Sequence, residues 1–320
     1  MHISSHSLTD FILEHKAHDM NLADKIVELK KKKNAIILAH NYQRPEIQEI
    51  ADYVGDSIEL SRKAMEEKVK TIVFSAVDFM AESAAILNPE KTVLLPTLSA
   101  RCPMAQMLTI DEIKRKKVQY PNAPMFLYVN TFAIAKAHCD ICCTSANAVE
   151  VVASLDSETV LLGPDHNLAE YVQRKTGKTV ISIPDMGFCP THLLFQPEEL
   201  QLLMRKCPEA RVMVHPECIC EVQKAAHFVG STSQMCNYAR ESGAETFIVG
   251  TEEGILHRLM KENPTKRFIL AYEGAVCPTM KLNTLERLYV ALKDENFRVT
   301  VPNSIARKAK DPLQKMFELT

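Results

Sequence analysis

Apolar runs that end in polar residues recur along this chain at a nearly constant interval. Three of them end at His40, Tyr128 and His215, which stand 88 and 87 residues apart. Each run is rich in β-branched residues and leucine, the pattern of a strand buried on both faces in a parallel sheet. The interval predicts three copies of one structural unit, each opening with such a strand.

Other features of the sequence keep the same interval. Ser57, Ser145 and Thr232 each lie 17 residues after the end of the opening run, at a predicted turn from strand to helix. A further apolar run opens 14 residues later in every copy, and a helix-like segment follows it. A last run leads into a Cys-Pro pair, so every copy is predicted to read β-α-β-α-β-α-β.

The hydrophobic pattern therefore predicts an α/β fold made of three homologous three-layer α/β/α units. Each unit should carry a small parallel sheet of about four strands, covered by helices. Tandem copies can close around a pseudo-threefold axis, as subunits do in a ring. The expected bounds are residues 1–107 for a first repeat with an N-terminal helix, 108–195 for the second, 196–281 for the third and 282–320 for a C-terminal closing segment.

The cysteines that keep the interval are Cys102, Cys189 and Cys277, three of ten in the chain. Closure of the ring would bring their thiols together at one point. Three thiolates are one short of a four-cysteine zinc or iron-sulfur site, but they can hold a 4Fe-4S cluster with one iron free of protein ligands. That iron could polarise a substrate as a Lewis acid. A single cysteine is more often core filler, but the shared interval favours a cluster.

The other seven cysteines lack this interval and are interpreted mainly as packing residues. A metal or redox pair is suggested by the run that contains Cys139, Cys142 and Cys143. Zinc binding is suggested by Cys218 and Cys220, but no second matching pair accompanies them. The other two, Cys207 and Cys236, are isolated.

Polar side chains follow each opening strand, at the edge of the sheet where parallel α/β folds bind ligands. Histidine, tyrosine and glutamate exchange protons, so three such loops facing one cavity suit a reaction with several proton transfers. Any one of them could simply cap a strand end, but as a set they favour a site. The set is His40, Tyr128 and His215, followed two residues later by Tyr42, Asn130 and Glu217.

Hydroxyl side chains stand at the predicted helix starts, namely Ser57, Ser145 and Thr232, with Ser231 beside the last. They could act only as helix caps. Three converging helix N-termini would also bind a substrate with several carboxylates or a phosphate. His192, three residues after Cys189, is a further candidate, although a lone histidine is often structural.

Composition excludes several classes of function. A net charge of -2 gives no basic footprint for nucleic acid. No apolar stretch approaches the length of a membrane span and the N-terminus lacks a signal peptide's hydrophobic region, so we expect a cytoplasmic protein. Neither GxGxxG nor GxxxxGK[ST] occurs, which removes the common dinucleotide and nucleotide-phosphate motifs.

Seven motifs together resemble the quinolinate synthase (quinolinate synthetase A) family over about residues 34–281. In chain order they are AHNYQ (39–43), GDSIELSR (55–62), YVNT (128–131), DICCTSAN (140–147), HPEC (215–218), GSTSQM (230–235) and CPTMK (277–281). Some family members carry Cys-x-x-Cys-x-x-Cys at the third cysteine, whereas here Cys277 is followed by Pro278, Thr279 and Met280. Regulation through those extra cysteines is therefore not expected.

The resemblance implies condensation of iminoaspartate with dihydroxyacetone phosphate, giving quinolinate, phosphate and water on the way to NAD. It implies one 4Fe-4S cluster on Cys102, Cys189 and Cys277, and a functional link to the enzyme that supplies iminoaspartate, either L-aspartate oxidase or aspartate dehydrogenase. The open iron would assist the final dehydration.

The resemblance also assigns roles to single residues. It implies catalytic roles for Tyr42, Tyr128, His192, His215 and Glu217. It implies substrate binding by His40, Ser57, Tyr128, Asn130, Ser145, His215, Glu217, Ser231 and Thr232.

Two alternatives stay open from the residues alone. One is another hydro-lyase that uses an open iron on a different small acid, and the other is a non-enzymatic iron-sulfur or zinc sensor. The acid–base and hydroxyl sets do not by themselves distinguish between the possible substrates.

Overall fold

Twelve strands form three separate four-stranded parallel sheets in the computed structural model, which describes residues 21–319. The strand order is the same in all three sheets, with the opening strand second and the third strand of the unit beside it. The first sheet contains β1 (Ala35–His40), β2 (Tyr53–Gly55), β3 (Thr71–Ser75) and β4 (Thr92–Leu94). The second contains β5 (Met125–Tyr128), β6 (Ile141–Cys143), β7 (Thr159–Gly163) and β8 (Thr179–Ser182). The third contains β9 (Arg211–Val214), β10 (Phe228–Val229), β11 (Thr246–Gly250) and β12 (Arg267–Leu270).

Helices alternate with the strands, as the periodicity predicted. The first unit has α1 (residues 21–32), α2 (Pro45–Ile50), α3 (Ser57–Glu66) and α4 (Asp78–Leu87). The second has α5 (Ile110–Gln119), α6 (Ala133–Lys136), α7 (Ala148–Ala153) and α8 (His166–Thr176), and the third has α9 (Pro197–Lys206), α10 (Cys220–Ala225), α11 (Thr232–Glu241) and α12 (Ile255–Glu262). A short 3-10 turn follows each of the cysteines that keep the interval of the repeat, which we call the registered cysteines (Cys102, Cys189 and Cys277). The three turns are Met104–Met107, His192–Leu194 and Met280–Leu282.

Local side-chain chemistry sets the ends of several helices. Asp56 begins α3 with a capping box completed by Glu59, and Ser231 begins α11 with one completed by Gln234. At the other end of α3, α7 and α11, a lysine that lies after the next helix of the chain reaches carbonyls that the helix leaves without partners. Lys91 Nζ donates to Ala64 O at 2.5 Å, Lys178 Nζ to Val152 O at 3.0 Å and Lys266 Nζ to Ala239 O at 2.5 Å.

Equivalent hydrogen bonds cross all three boundaries between units, so the ring is closed. At each boundary a buried side chain from the second helix of one unit donates to a backbone carbonyl of its neighbour. Gln48 Nε2 lies 2.8 Å from Gly254 O, Lys136 Nζ lies 3.4 Å from Phe79 O, and Gln223 Nε2 lies 3.5 Å from Asn167 O. The predicted fold of three repeated α/β units is confirmed.

The C-terminal segment packs back onto the first two units. Helix α13 (Leu285–Asp294) places Leu288 and Leu292 against Ile37 and Val73 in a buried cluster on the first sheet. Helix α14 (Asn303–Glu318) contacts α4, α6 and β6. The predicted segment before residue 21 lies outside the described residues, and the exact unit bounds stay predictions. No helix between residues 21 and 319 combines the length and apolar character that crossing a bilayer requires.

Replacement of Gln48 by Leu should weaken the fold at the boundary between the first and third units. The Gln48 amide donates to the buried carbonyls of Asn41, Gln43 and Gly254. Because these acceptors would lose their donor, we expect the free energy of unfolding to fall by about 2–4 kcal/mol. Urea unfolding measures this, with the exposed Gln201→Leu as control, which should change stability by about 0.5 kcal/mol or less. Equal small changes in both variants would contradict the assignment.

Candidate active site

The carboxyl ends of the three sheets surround one cavity at the centre of the ring. Of the predicted site residues, all but one line it: His40, Tyr42, Ser57, Cys102, Tyr128, Asn130, Ser145, Cys189, His192, His215, Glu217, Thr232 and Cys277. Ser231 is fully buried behind the wall, where its hydroxyl donates to Asp56 Oδ2 at 2.9 Å and accepts from Gln234 N. The ring therefore gathers residues that are far apart in sequence, while their roles stay predictions.

Two equivalent histidines fold back onto their own loops. His40 Nδ1 accepts from the backbone N–H of Tyr42 at 3.1 Å, and His215 Nδ1 accepts from that of Glu217 at 3.2 Å. An accepting Nδ1 leaves the proton of a neutral ring on Nε2. Nε2 of His215 then donates to Ser145 Oγ at 3.2 Å. Burial lowers the pKa of both histidines to about 3, so both rings are neutral near pH 7.

Glu217 is the charged centre of the cavity. Its carboxylate lies 2.7 Å from His192 Nδ1, a close contact without hydrogen-bond geometry, and 3.5 Å from the amide nitrogen of Asn130. Burial alone would raise the pKa of Glu217, but the nearby His215 and His192 and the Tyr128 hydroxyl outweigh it and lower the pKa to about 2. Glu217 is therefore an ionised carboxylate at the centre of the cavity.

A chain of side chains connects Tyr42 to this carboxylate. The Tyr42 hydroxyl lies 2.5 Å from Thr251 Oγ1, which lies 2.9 Å from His192 Nε2. Burial, followed by the charge of Glu217, raises the pKa of Tyr42 well above its usual value, so the phenol stays protonated. Thr251 was missed in the sequence, although its place directly after β11 is a signal that could have identified it.

The hydroxyl residues at the helix starts divide into two kinds. Ser57 and Thr232 are the first residues of α3 and α11, and they face the cavity while their predecessors act as caps. Thr232 Oγ1 accepts from the side-chain amide of Asn41 at 2.8 Å. Ser145 precedes α7 and does not cap it. The capping interpretation therefore holds for Ser231 alone, and three hydroxyls remain available to a ligand.

The three registered cysteines lie on the same cavity, each at the start of a tight turn. Burial raises the pKa of all three thiols, and the charge of Glu217 raises that of Cys189 further. Neighbouring thiols with raised pKa values release their protons when a metal centre binds. The donor set therefore fits a cluster with three cysteine ligands.

A second group of metal-capable atoms overlaps the first. The ligand atoms of Cys189, His192 and Glu217 lie within 4.8 Å of one another. However, Nε2 of His192 is hydrogen-bonded to Thr251 and its Nδ1 faces Glu217. Because both ring nitrogens already have neighbours, the three cysteines are the better donor set.

An α/β ring with acid–base groups beside three thiols defines an enzyme able to bind metal. Residues 24–318 match the family model described as Quinolinate synthetase A protein. The chain is 51% identical over 298 residues to the quinolinate synthase of Thermotoga maritima, covering 93% of this chain and 99% of the relative. It is 50% identical over 302 residues to that of Alkaliphilus metalliredigens (94% and 99%) and 48% over 301 residues to that of Pyrococcus horikoshii (94% and 100%). The chain belongs to the quinolinate synthase family.

Acidification should destabilise the protein through these buried groups. The pKa of His40 and His215 falls from 6.5 to about 3 on folding, so the unfolded chain binds more protons and stability decreases as the pH falls below 6.5. Glu217, lowered from 4.5 to about 2, adds a loss below pH 4.5. Denaturant unfolding between pH 8 and 5 should show this decline, and His40→Asn should reduce its slope. A pH-independent stability over that range would contradict the burial of two neutral histidines.

Proposed function

We propose that this chain condenses iminoaspartate with dihydroxyacetone phosphate to form quinolinate, phosphate and water for NAD biosynthesis, in the cytoplasm. The observation that carries the proposal is the convergence of three thiols, the ionised Glu217 carboxylate and protonated phenols on a single cavity. Family membership and the names of the relatives support the same reaction. An enzyme that forms iminoaspartate from aspartate, either L-aspartate oxidase or aspartate dehydrogenase, would supply the first substrate.

The cofactor that fits is one 4Fe-4S cluster per chain, on Cys102, Cys189 and Cys277. When bound, it would supply one iron without a protein ligand, a Lewis acid for a substrate hydroxyl or carboxylate. The protein contributes three half-buried thiols, one from each repeat.

Substrate carboxylates would bind opposite the thiols. Ser57 and Thr232 are the first residues of α3 and α11, where the positive end of the helix dipole favours anions. The neutral His40 would add an Nε2–H donor. These groups would orient a dicarboxylate with one end towards each helix, and Ser145 would add a third hydroxyl.

The proton transfers follow from the protonation states of the side chains. Carbon–carbon bond formation requires loss of a proton from the carbon next to the imine, and the ionised Glu217 carboxylate would accept it. Loss of phosphate and of water requires acids, and the Tyr42 and Tyr128 hydroxyls remain protonated. Hydrogen bonds from Tyr42 to Thr251 and from Thr251 to His192, with the close contact between His192 and Glu217, would position the Tyr42 hydroxyl relative to the carboxylate.

Anaerobic reconstitution with iron and sulfide, followed by an assay for quinolinate, tests this function. Iminoaspartate and dihydroxyacetone phosphate together should yield quinolinate, and omission of either should yield none. Cluster uptake without quinolinate would favour another hydro-lyase or an iron-sulfur sensor. A colourless protein that binds zinc would overturn the proposed cofactor.

A further inference from the structure

Three carboxylates keep the interval of the repeat but were not predicted from the sequence. Each accepts a hydrogen bond from the backbone N–H of the registered cysteine in its own unit. Asp78 Oδ1 lies 3.1 Å from Cys102 N, Asp165 Oδ2 lies 3.2 Å from Cys189 N, and Glu252 Oε1 lies 3.0 Å from Cys277 N. The same bond therefore occurs at all three cysteines, although the third carboxylate is a glutamate.

Each carboxylate is also fixed to the loop after the third strand of its unit. Asp78 accepts from Phe79 N at 2.9 Å, Asp165 from Leu168 N at 2.7 Å, and Glu252 from Gly254 N at 2.7 Å. Backbone hydrogen bonds join the same two loops in every unit, from Asp78 N to Ala100 O, from His166 N to Gly187 O and from Glu253 N to Ala275 O. Asp165 and Glu252 are almost completely buried. The cysteine loops are therefore held against the ends of the neighbouring strands.

These bonds have a consequence for any cluster on the thiols. A cysteine N–H that donates to a carboxylate is not available to donate to a cluster sulfur. Hydrogen bonds to the sulfurs and nearby charge are two of the factors that set the reduction potential of an iron-sulfur cluster. Groups that hold a metal's ligands in place also determine how tightly the metal is retained.

We propose that Asp78, Asp165 and Glu252 are positioning residues for the cluster, each fixing one cysteine and diverting its N–H away from the sulfurs. This inference rests on the proposed cofactor. The carboxylates hold the three thiols at one point and keep the cluster potential low. A low potential suits a cluster that serves as a Lewis acid and does not transfer electrons.

A matched control exists at the opposite edge of the sheet. Asp140 Oδ2 accepts from the backbone N–H of Met125, the first residue of β5, at 2.7 Å. This bond has the same chemistry and also ties a loop to a strand, but it lies at the amino end of the sheet. Loss of it should affect folding stability without affecting the cluster.

Iron release to a chelator and the midpoint potential of the reconstituted protein test the proposal. Asp78→Ala should release iron about 10- to 100-fold faster than the unmodified chain, and its potential should be more positive. Asp78→Asn keeps an oxygen at the Oδ1 position, where both N–H groups bind, so it should restore slow release. Asp140→Ala should match the unmodified chain in both measurements.

The outcomes separate this inference from the cofactor on which it rests. A cluster in the unmodified chain, with unchanged release and potential in Asp78→Ala, overturns the positioning role alone. Failure of the unmodified chain to take up a cluster overturns both. Should Asp78→Ala not fold, Asp78→Ser replaces it, because its shorter side chain cannot reach Cys102 N. Fast release from Asp78→Ser then supports the proposal, and release at the unmodified rate contradicts it.

Discussion

Replacement of Glu217 by Gln is expected to lower kcat by about 10²- to 10⁴-fold, the usual contribution of general acid–base catalysis. Glutamine has nearly the same shape but cannot accept a proton, and Glu217 is the carboxylate that His192, His215 and Tyr128 keep ionised. Iron and sulfide content should be unchanged because Glu217 is not a proposed cluster ligand. Steady-state assay of the reconstituted variant measures the loss.

Two comparisons make the result specific to the position. Glu221→Gln, on the exposed side of α10 only four residues away, should retain normal turnover. A Glu217→Gln protein with a full cluster and near-normal kcat would remove this carboxylate from the proton transfers. A rise in KM alone would reassign it to substrate binding.

Replacement of Cys102, Cys189 or Cys277 by Ala is expected to abolish stable cluster binding and all quinolinate formation. With two thiols left, the cluster would lack a ligand at a second iron. Iron and sulfide analysis with visible absorption measures the loss.

The remaining cysteines provide the controls for this series. Cys207→Ala and Cys236→Ala remove thiols that pack in apolar clusters of the third unit, and both variants should bind the cluster normally. Equal loss of iron from all five variants would mean that position in the repeat does not identify the ligands.

Much of the fold could be predicted from the sequence because the apolar runs that form the strands recur at a nearly constant interval. The opening strands, the threonines that begin β3, β7 and β11, and the Cys-Pro pairs all lie where their spacing placed them. Parallel strands bring their carboxyl ends to one edge, so the same spacing also predicted which loops line the cavity. The path of the closing segment was not predictable, since α14 packs across two units and has no counterpart among the three repeats.

Neighbouring positions show where the sequence was insufficient. Ser231 and Thr232 are adjacent residues with hydroxyl side chains, but Ser231 caps α11 and Thr232 faces the cavity. Which residue becomes the cap depends on the backbone angles at the helix start, and both residue types are good caps. The sequence therefore could not distinguish the buried Ser231 from a ligand-binding hydroxyl.

Residues that share a task but not a type were also missed. Gln48, Lys136 and Gln223 occupy one register position and satisfy carbonyls across the three boundaries. A search for identical residues does not find them, because a glutamine amide and a lysine ammonium meet the same need for a long donor.

The site is asymmetric although its frame is threefold. The positions that end the opening strands carry His40, Tyr128 and His215, and only the third unit supplies a carboxylate two residues later, Glu217. Three equivalent thiols suit a nearly symmetric cluster. The three loops that carry the acid–base residues differ in sequence, so the wall of the cavity is chemically different in each unit. A substrate bound there would meet the base on one side only, which favours a single orientation during condensation.

The central claim is that three thiols hold one cluster whose remaining iron is open to the substrate. Mössbauer spectroscopy of protein reconstituted with iron-57 tests it, with and without quinolinate. We predict about four irons and four sulfides per chain, with about one quarter of the iron signal shifting when quinolinate is added. A spectrum that quinolinate leaves unchanged, or a protein that holds zinc and no sulfide, would contradict the claim.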